Sequence, residues 1–289
     1  MAKSKNILIT GASTGIGYDL AKVFVENGYT VYGSVRKQAD ADRLSQELGE
    51  KFNAVLFDVT DHAAVDNEAE KMYEKIGREG LGGLINNAGI AIGGPMLDLS
   101  LDDYRQQFEV NVIGLIKVTK AFLPLLGARS DHHSEPGRIV QISSVAGKIG
   151  MPFMSPYVGS KHAVEGLSES LRRELQLFGI KVIVIGPGPI KTPIWNKGVS
   201  EEANTRFKDS FYEESINIFQ NSFVKDAIKN GWTSEKAARI IFGAFEEKNP
   251  KARYALVPQR FKNWILPRLL PSKALDKFVR KNLKLRPKK

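Results

Sequence analysis

Asn6-Ile7-Leu8-Ile9-Thr10-Gly11-Ala12-Ser13-Thr14-Gly15-Ile16-Gly17 is an apolar run that stops at three closely spaced glycines, and Leu20, Val23 and Phe24 follow at helical spacing. A strand therefore turns sharply into a helix here. Glycine permits such a turn and lets main chain approach a ligand closely, while the start of the helix offers free N–H groups and positive potential to a diphosphate. Gly11, Gly15 and Gly17, with Ser13, Thr14 and Ile16 between them, form a candidate dinucleotide cradle. Alone, a glycine triplet also fits an ordinary loop. Its spacing, Gly-x-x-x-Gly-x-Gly, differs from the Gly-x-Gly-x-x-Gly of most dinucleotide folds.

Downstream, β-branched runs alternate with amphipathic stretches, the pattern of repeated βα units around a parallel sheet. Strands are expected near Asn6 to Thr10, Thr30 to Val35, Ala54 to Asp58, Gly83 to Asn86, Arg138 to Ser143, Lys181 to Ile185 and Tyr254 to Val257. Ala163, Leu167, Leu171 and Leu175 mark the helix after the fifth strand. Seven strands with right-handed crossovers give a doubly wound α/β sheet with helices on both faces. From Asn196 to Trp232 the alternation lapses, and aromatics at Phe207, Phe211, Tyr212, Phe219 and Phe223 indicate a helical insertion. One domain over residues 1–260, with a lid at about 194–232, is followed by an extension over 261–289, where Ser272 is a candidate N-cap for a short helix carrying Leu275, Phe278, Val279 and Leu283.

The 289 residues include no cysteine, so disulfides and thiolate metal sites are excluded. The N-terminus runs straight into the first strand and no uninterrupted apolar stretch reaches the length of a membrane span, so a cytoplasmic protein is expected. The net charge of +10 is concentrated at one end: from Lys248 to Lys289 the chain carries +13, and the rest sums to −3. The main domain is therefore not basic and nucleic acid is not an expected partner. The tail, with Trp264, Ile265, Leu266, Leu269 and Leu270 beside Arg260, Lys262, Arg268 and Lys273, has the character of a membrane-surface segment or of a terminal helix docked on its own domain or on a partner. His62, His132, His133 and His162 are scattered without a paired acid pattern, and no metal site is expected.

The glycine stretch, followed in order by Asn86-Asn87-Ala88-Gly89, Asn111, Ser144, Tyr157-Val158-Gly159-Ser160-Lys161 and Pro187-Gly188, resembles the short-chain dehydrogenase/reductase family over roughly residues 5–260. The segment Val31 to Arg36 is similar to the hydroxysteroid and retinol dehydrogenase branch. The resemblance implies a Rossmann-type sheet in the order 3-2-1-4-5-6-7, a homodimer or homotetramer paired through the helices after the fourth and fifth strands, and a site above the carboxyl ends of the strands. It also implies that Asn87, Ala88, Gly89 and Val59 border the cofactor, that Asp58 meets the adenine, and that Pro187, Gly188, Ile190 and Thr192 hold the nicotinamide. Gly159 departs from the family's usual alanine.

Tyr157 and Lys161 lie four residues apart on a helix opened by Pro156, so they share a face. A nearby ammonium and an oxidised nicotinamide both favour the phenolate, which would let Tyr157 exchange a proton with an alcohol or carbonyl. The resemblance makes Ser144, rather than neighbouring Ser143, the hydroxyl that orients the substrate oxygen, and Asn111 the holder of a water behind Lys161. No acid ends the second strand; Arg36 stands there instead, suited to the 2′-phosphate of NADP in preference to NAD. Ile149, Met151, Phe153, Trp195, Phe207, Phe211 and Phe219 are candidates to line a pocket for a bulky hydrophobic alcohol or ketone. The expected function is NADP(H)-dependent oxidoreduction of such a substrate; the alternative is a nucleotide-sensing or scaffold protein on the same fold.

Overall fold

The computed structural model describes residues 3–131, 134–194 and 206–286, so the expectations for His132, His133, Trp195 and the Phe223 side chain fall outside it. Strands β1 (Asn6–Ile9), β2 (Thr30–Val35), β3 (Phe52–Leu56), β4 (Gly83–Asn86), β5 (Arg138–Ile142), β6 (Lys181–Pro187) and β9 (Arg253–Leu256) form one parallel sheet in the order β3-β2-β1-β4-β5-β6-β9. This is the expected sheet, its seventh strand numbered ninth because two-residue strands β7 (Ile190–Lys191) and β8 (Trp232–Thr233) intervene and pair with each other. Alternation along β1 shows why the strands read as continuously apolar: Ile7 and Ile9 join a core with Leu20, Phe24 and Phe245, whereas Leu8 joins a second core with Leu84, Phe122 and Val182. Both faces are covered, as parallel sheets require.

Helices α1 (Gly15–Glu26), α2 (Gln38–Leu48), α3 (His62–Ile76), α4 (Leu101–Phe108), α5 (Leu115–Phe122) and α6 (Ser155–Glu174) connect the first six strands. Between α4 and α5 the chain widens into a π-helical turn, Glu109–Gly114, which carries Asn111. No periodicity signal separates such a turn from ordinary α-helix, though π turns are frequent at functional sites. Of the expected apolar stripe, Leu175 is buried and Leu171 packs on the core but Leu167 is exposed, and the buried face of α6 also holds Tyr157, Ser160, Lys161, Val164, Glu165 and Ser168. Polar groups are tolerated there because they are bonded internally, Ser168 donating to the Val164 carbonyl and Ser160 to that of Tyr157. Gly159, mid-helix, leaves room for a methyl group: an added Cβ would lie 3.4 Å from the Phe108 ring.

The insertion contains α7 (Glu213–Ile218), a π turn and α8 (Lys225–Asn230), after which α9 (Ser234–Glu246) returns to the core through Ala237, Ile241 and Phe245. The extension forms α10 (Leu266–Leu269) and α11 (Ser272–Asn282). Ser272 is the first helical residue and Pro271 the cap, correcting the expected N-cap by one position. The extension docks on its own domain, with Trp264 and Leu283 buried. Among the described residues no helix is long and apolar enough to cross a membrane.

Candidate active site

The glycines are required by geometry. Gly11 and Gly15 adopt φ of 66° and 58°, the left-handed region that L side chains avoid. Gly17 is held by packing instead: a Cβ there would stand 2.1 Å from the Gly11 carbonyl oxygen and 2.5 Å from the Asn87 side-chain nitrogen. The turn is tied to its neighbours by Thr10, whose hydroxyl accepts from the N–H groups of Asn87 and Ala88, and by Asn87, whose amide donates to the Thr10 and Gly11 carbonyls. Ser34, not foreseen from sequence, accepts the Gly11 N–H at 3.0 Å.

One cleft runs along the carboxyl ends of the strands. It is lined by Gly11, Ser13, Thr14, Gly15 and Ile16, by Arg36, Asp58 and Val59, by Asn87, Ala88 and Gly89, by Ser144, Tyr157 and Lys161, and by Pro187, Gly188, Ile190 and Thr192. Gly17 and Asn111 support it without lining it. At the β2 end, the exposed Arg36 guanidinium lies 3.5 Å from Asp58, with Lys37 beside it. Arg43 donates to the Ser13 carbonyl at 2.8 Å and adds a cation behind that end. Lys37 and Arg43 were missed because a basic residue on a surface helix carries no pattern of its own. Burial raises the Asp58 carboxyl, but two bonds from Thr60 and the Arg36 charge outweigh it and leave the group below its ordinary value.

At the opposite end α6 and the turn after β5 bring Tyr157, Lys161 and Ser144 together. Ser144, not Ser143, bonds to Tyr157. Its hydroxyl also accepts from Ala146 N–H at 3.1 Å, whereas Ser143 is buried against Gly147. Among the protein's own groups burial dominates the titration of Tyr157, raising the phenol above its ordinary value against the opposing Ser144 bond. The expected lowering by Lys161 is therefore not what these groups produce. Lys161 Nζ donates to the Ile142 carbonyl at 2.8 Å and stands 5.8 Å from the Tyr157 ring centre. Burial pulls its ammonium down to about 8, with Glu165 working the other way.

Glu165 is a residue that the sequence reading missed, although an acid four positions after Lys161 on a buried face is a usable signal. It is buried, accepts from Arg253 Nε with both its oxygens at 3.0 Å, and has Lys148 at 3.6 Å. Asn111 is fully engaged by protein: its oxygen accepts from Ile90 N–H and its amide donates to the Ile90 carbonyl and to Ser160. Gln107, fully buried and also missed, accepts from Ile92 N–H at 2.7 Å and donates to the Ile90 carbonyl at 2.9 Å. The two amides hold the loop after β4 in place.

A pH prediction follows from Lys161. Its folded value of about 8 is below the unfolded 10.5, so below pH 8 both states are protonated and the fold bears the full cost of a buried ammonium. Between those values the unfolded state binds more protons, and stability rises with pH. The melting temperature of wild type relative to Lys161→Met should climb over that interval; a flat difference would refute the buried charge.

Beside Tyr157 lies a packed apolar group. Met151, Phe153 and Phe219 pack there with Met154 and Ala146. Phe207 packs instead with Leu99 and Ile216, Ile149 joins neither group, and Phe211 is exposed. Phe153 has φ of 62°, a strained backbone for a bulky residue, and its ring makes edge contacts with Tyr212 and Phe219.

Residues 5–203 match the family model described as short chain dehydrogenase. An NADPH-dependent 3-dehydrocapnine reductase from Ornithobacterium rhinotracheale is 39% identical over 96% of this chain and 96% of its own. Among solved structures, a short-chain dehydrogenase from Streptomyces avermitilis superposes with a TM-score of 0.77 at 30% identity, covering 98% of this chain and 96% of that one. The closed form of a serine dehydrogenase complexed with NADP+ matches with a TM-score of 0.70 at 25% identity, covering 88% of this chain and 94% of that one.

Proposed function

The chain belongs to the short-chain dehydrogenase family, and on that premise we propose that it is an NADPH-dependent reductase that converts a ketone on a bulky apolar body into the alcohol. The observation that carries this reading is the convergence of Ser144, Tyr157 and Lys161 at one end of a cleft whose other end presents Arg36 and Lys37. The cleft fits a phosphorylated dinucleotide: Gly11 and Gly15 line it in left-handed conformations that bring main chain rather than side chain to its wall, and no acid of β2 competes with Arg36 for the 2′-phosphate. The cofactor is NADP(H), as the names of the reductase relative and of the NADP+-bound neighbour support. Arg36 and Ser13 would hold its phosphate end, and Ile190 and Thr192 its nicotinamide. When bound there, it supplies the hydride.

The protein's own part is orientation and proton transfer. Ser144 donates to the ketone oxygen, and Tyr157 gives its proton to that oxygen as hydride reaches the carbonyl carbon. A phenol raised by burial is protonated at neutral pH, which suits reduction. Lys161, one turn away, keeps positive charge near the tyrosine as the phenolate forms. Asn111 holds Ile90 and Ser160 and so fixes the loop opposite α6. The apolar group of Met151, Phe153, Met154 and Phe219 next to Tyr157 supports a hydrophobic substrate body, and exposed Ile113 and Leu167 support self-association through the helices after β4 and β5.

A ketone panel, from steroid and long-chain to short and polar, assayed by loss of NADPH absorbance tests the proposal. Turnover should favour the bulky apolar members. A preference for the small polar ones would reject the substrate class, and NADPH binding without turnover of any ketone would favour the nucleotide sensor.

A further inference from the structure

We infer that Glu165 and Arg253 form a positioning pair behind the reacting groups: Arg253 fixes the Ser144 main chain, and Glu165 supplies the counter-charge that keeps Lys161 cationic. This rests on the reductase reading and assigns a part in it to Arg253, which lies outside the matched stretch 5–203.

Glu165 stands one turn beyond Lys161 on the buried face of α6, with 4% of its side chain exposed. Its two oxygens share the Arg253 Nε–H at 3.0 Å each, and Nη2 of the same guanidinium donates to the Ser144 carbonyl at 3.3 Å. Arg253 belongs to β9, so one arginine of the sheet's edge strand ties the helix that carries Tyr157 and Lys161 to the strand end that carries Ser144. Both partners are boxed in. The guanidinium lies 4.3 Å from the ring of buried Trp264, and a methyl group at Gly186 of β6 would collide with it. A Cβ at Gly147 would stand 2.9 Å from Glu165 Cγ, so the turn after Ser144 rests directly on the acid.

The ionisable groups around Lys161 and Glu165 come from four elements. Tyr157 shares α6 with them; Lys148, from the turn after β5, stands 3.6 Å from Glu165; Arg253 comes from β9; and Arg268 of the extension lies 4.5 Å from the Trp264 ring. Glu165 is the one carboxylate of this set. Burial pulls the Lys161 ammonium down to about 8 against the attraction of Glu165, so loss of the acid would take it lower still. A buried pair adds little stability over apolar packing. What this one adds is a fixed Ser144 and a charged Lys161.

Glu165→Gln and Arg253→Gln separate position from charge. In Glu165→Gln the alkaline limb of kcat for ketone reduction should move to lower pH by about one pH unit, because Lys161 loses its counter-charge while Arg253 stays. Arg253→Gln should move the limb the other way, since an acid freed of its main partner attracts Lys161 more strongly. It should also lower the plateau kcat about tenfold through a loosened Ser144, with KM for NADPH within about twofold of wild type. Arg253→Lys, which keeps the charge without the planar fork, should return the limb to near its wild-type position and leave the plateau low. Limbs that stay put, or that move the same way in both glutamine variants, would overturn the proposal and leave a purely structural pair.

The charge on Lys161 is also readable without turnover. The melting comparison with Lys161→Met, repeated on the Glu165→Gln background, should begin its climb at lower pH than on the wild-type background. On the Arg253→Gln background the climb should begin at higher pH, which tests the pair even where Glu165→Gln does not fold. An unchanged onset on either background would overturn the counter-charge. Shifted onsets in a chain that reduces no ketone would keep the pair and reject the reductase reading, so the two failures are distinguishable.

Discussion

Tyr157→Phe is expected to lower kcat about a thousandfold while NADPH affinity stays within about twofold of wild type. The substitution removes one oxygen and keeps the ring, so packing against Ala146, Met154 and Leu283 survives. What disappears is the proton donor. Without it the developing alkoxide must take its proton from water in a buried place, and general acid catalysis of this kind is worth roughly 10² to 10⁴. Ser144 is too weak an acid to substitute; its hydroxyl accepts from Ala146 N–H and otherwise meets Tyr157 and, at 3.5 Å, the Pro187 carbonyl. Steady-state rates, together with fluorescence titration of NADPH, separate the two effects. A loss of less than tenfold in kcat would place the proton donor elsewhere and undo the mechanism.

Arg36→Ala should collapse the preference for NADPH over NADH by about 10- to 100-fold, entirely through the NADPH limb. A hydrogen bond to a charged group contributes about 1.5–3 kcal/mol, which corresponds to that range. Arg36 is available for the role because its side chain is 74% exposed and its 3.5 Å contact with Asp58 is loose. Kinetics with each cofactor at a fixed ketone concentration decide the matter. An unchanged ratio would remove Arg36 from the cofactor site, and a collapse seen instead with Lys37→Ala would move the phosphate contact one residue along.

Much of the site was legible because it is built from local rules. The glycine cradle needs three particular positions in seven residues and Tyr157 pairs with Lys161 at helical spacing, whereas Asn111 and Ser144 were picked out by the family resemblance. Other parts were not legible. The spacing of Ala163, Leu167, Leu171 and Leu175 marked α6, with Leu175 buried and Leu171 packed on the core, but hydrophobic spacing cannot anticipate that Ser160, Lys161, Glu165 and Ser168 will be buried too when each finds a partner. Gln107 and Glu165 were missed for the same reason. Both act on residues far along the chain, Gln107 on Ile92 and Glu165 on Arg253. For Tyr157 the sequence places a cation nearby but says nothing about how much water the phenol retains, and burial raises it among the protein's own groups.

The sequence by itself determined the parallel sheet, the strand that becomes a helix at Gly11 to Gly17, and the pairing of Tyr157 with Lys161, since each depends on residues within a turn or two of one another. Tertiary structure alone decided that the basic tail folds back, that Leu283 reaches the group around Tyr157, and that Trp264 meets Arg253. Apolar burial has no direction, so an amphipathic segment records only that it will cover something. Which surface it covers is set by the distance the chain must travel and by the shape it meets there.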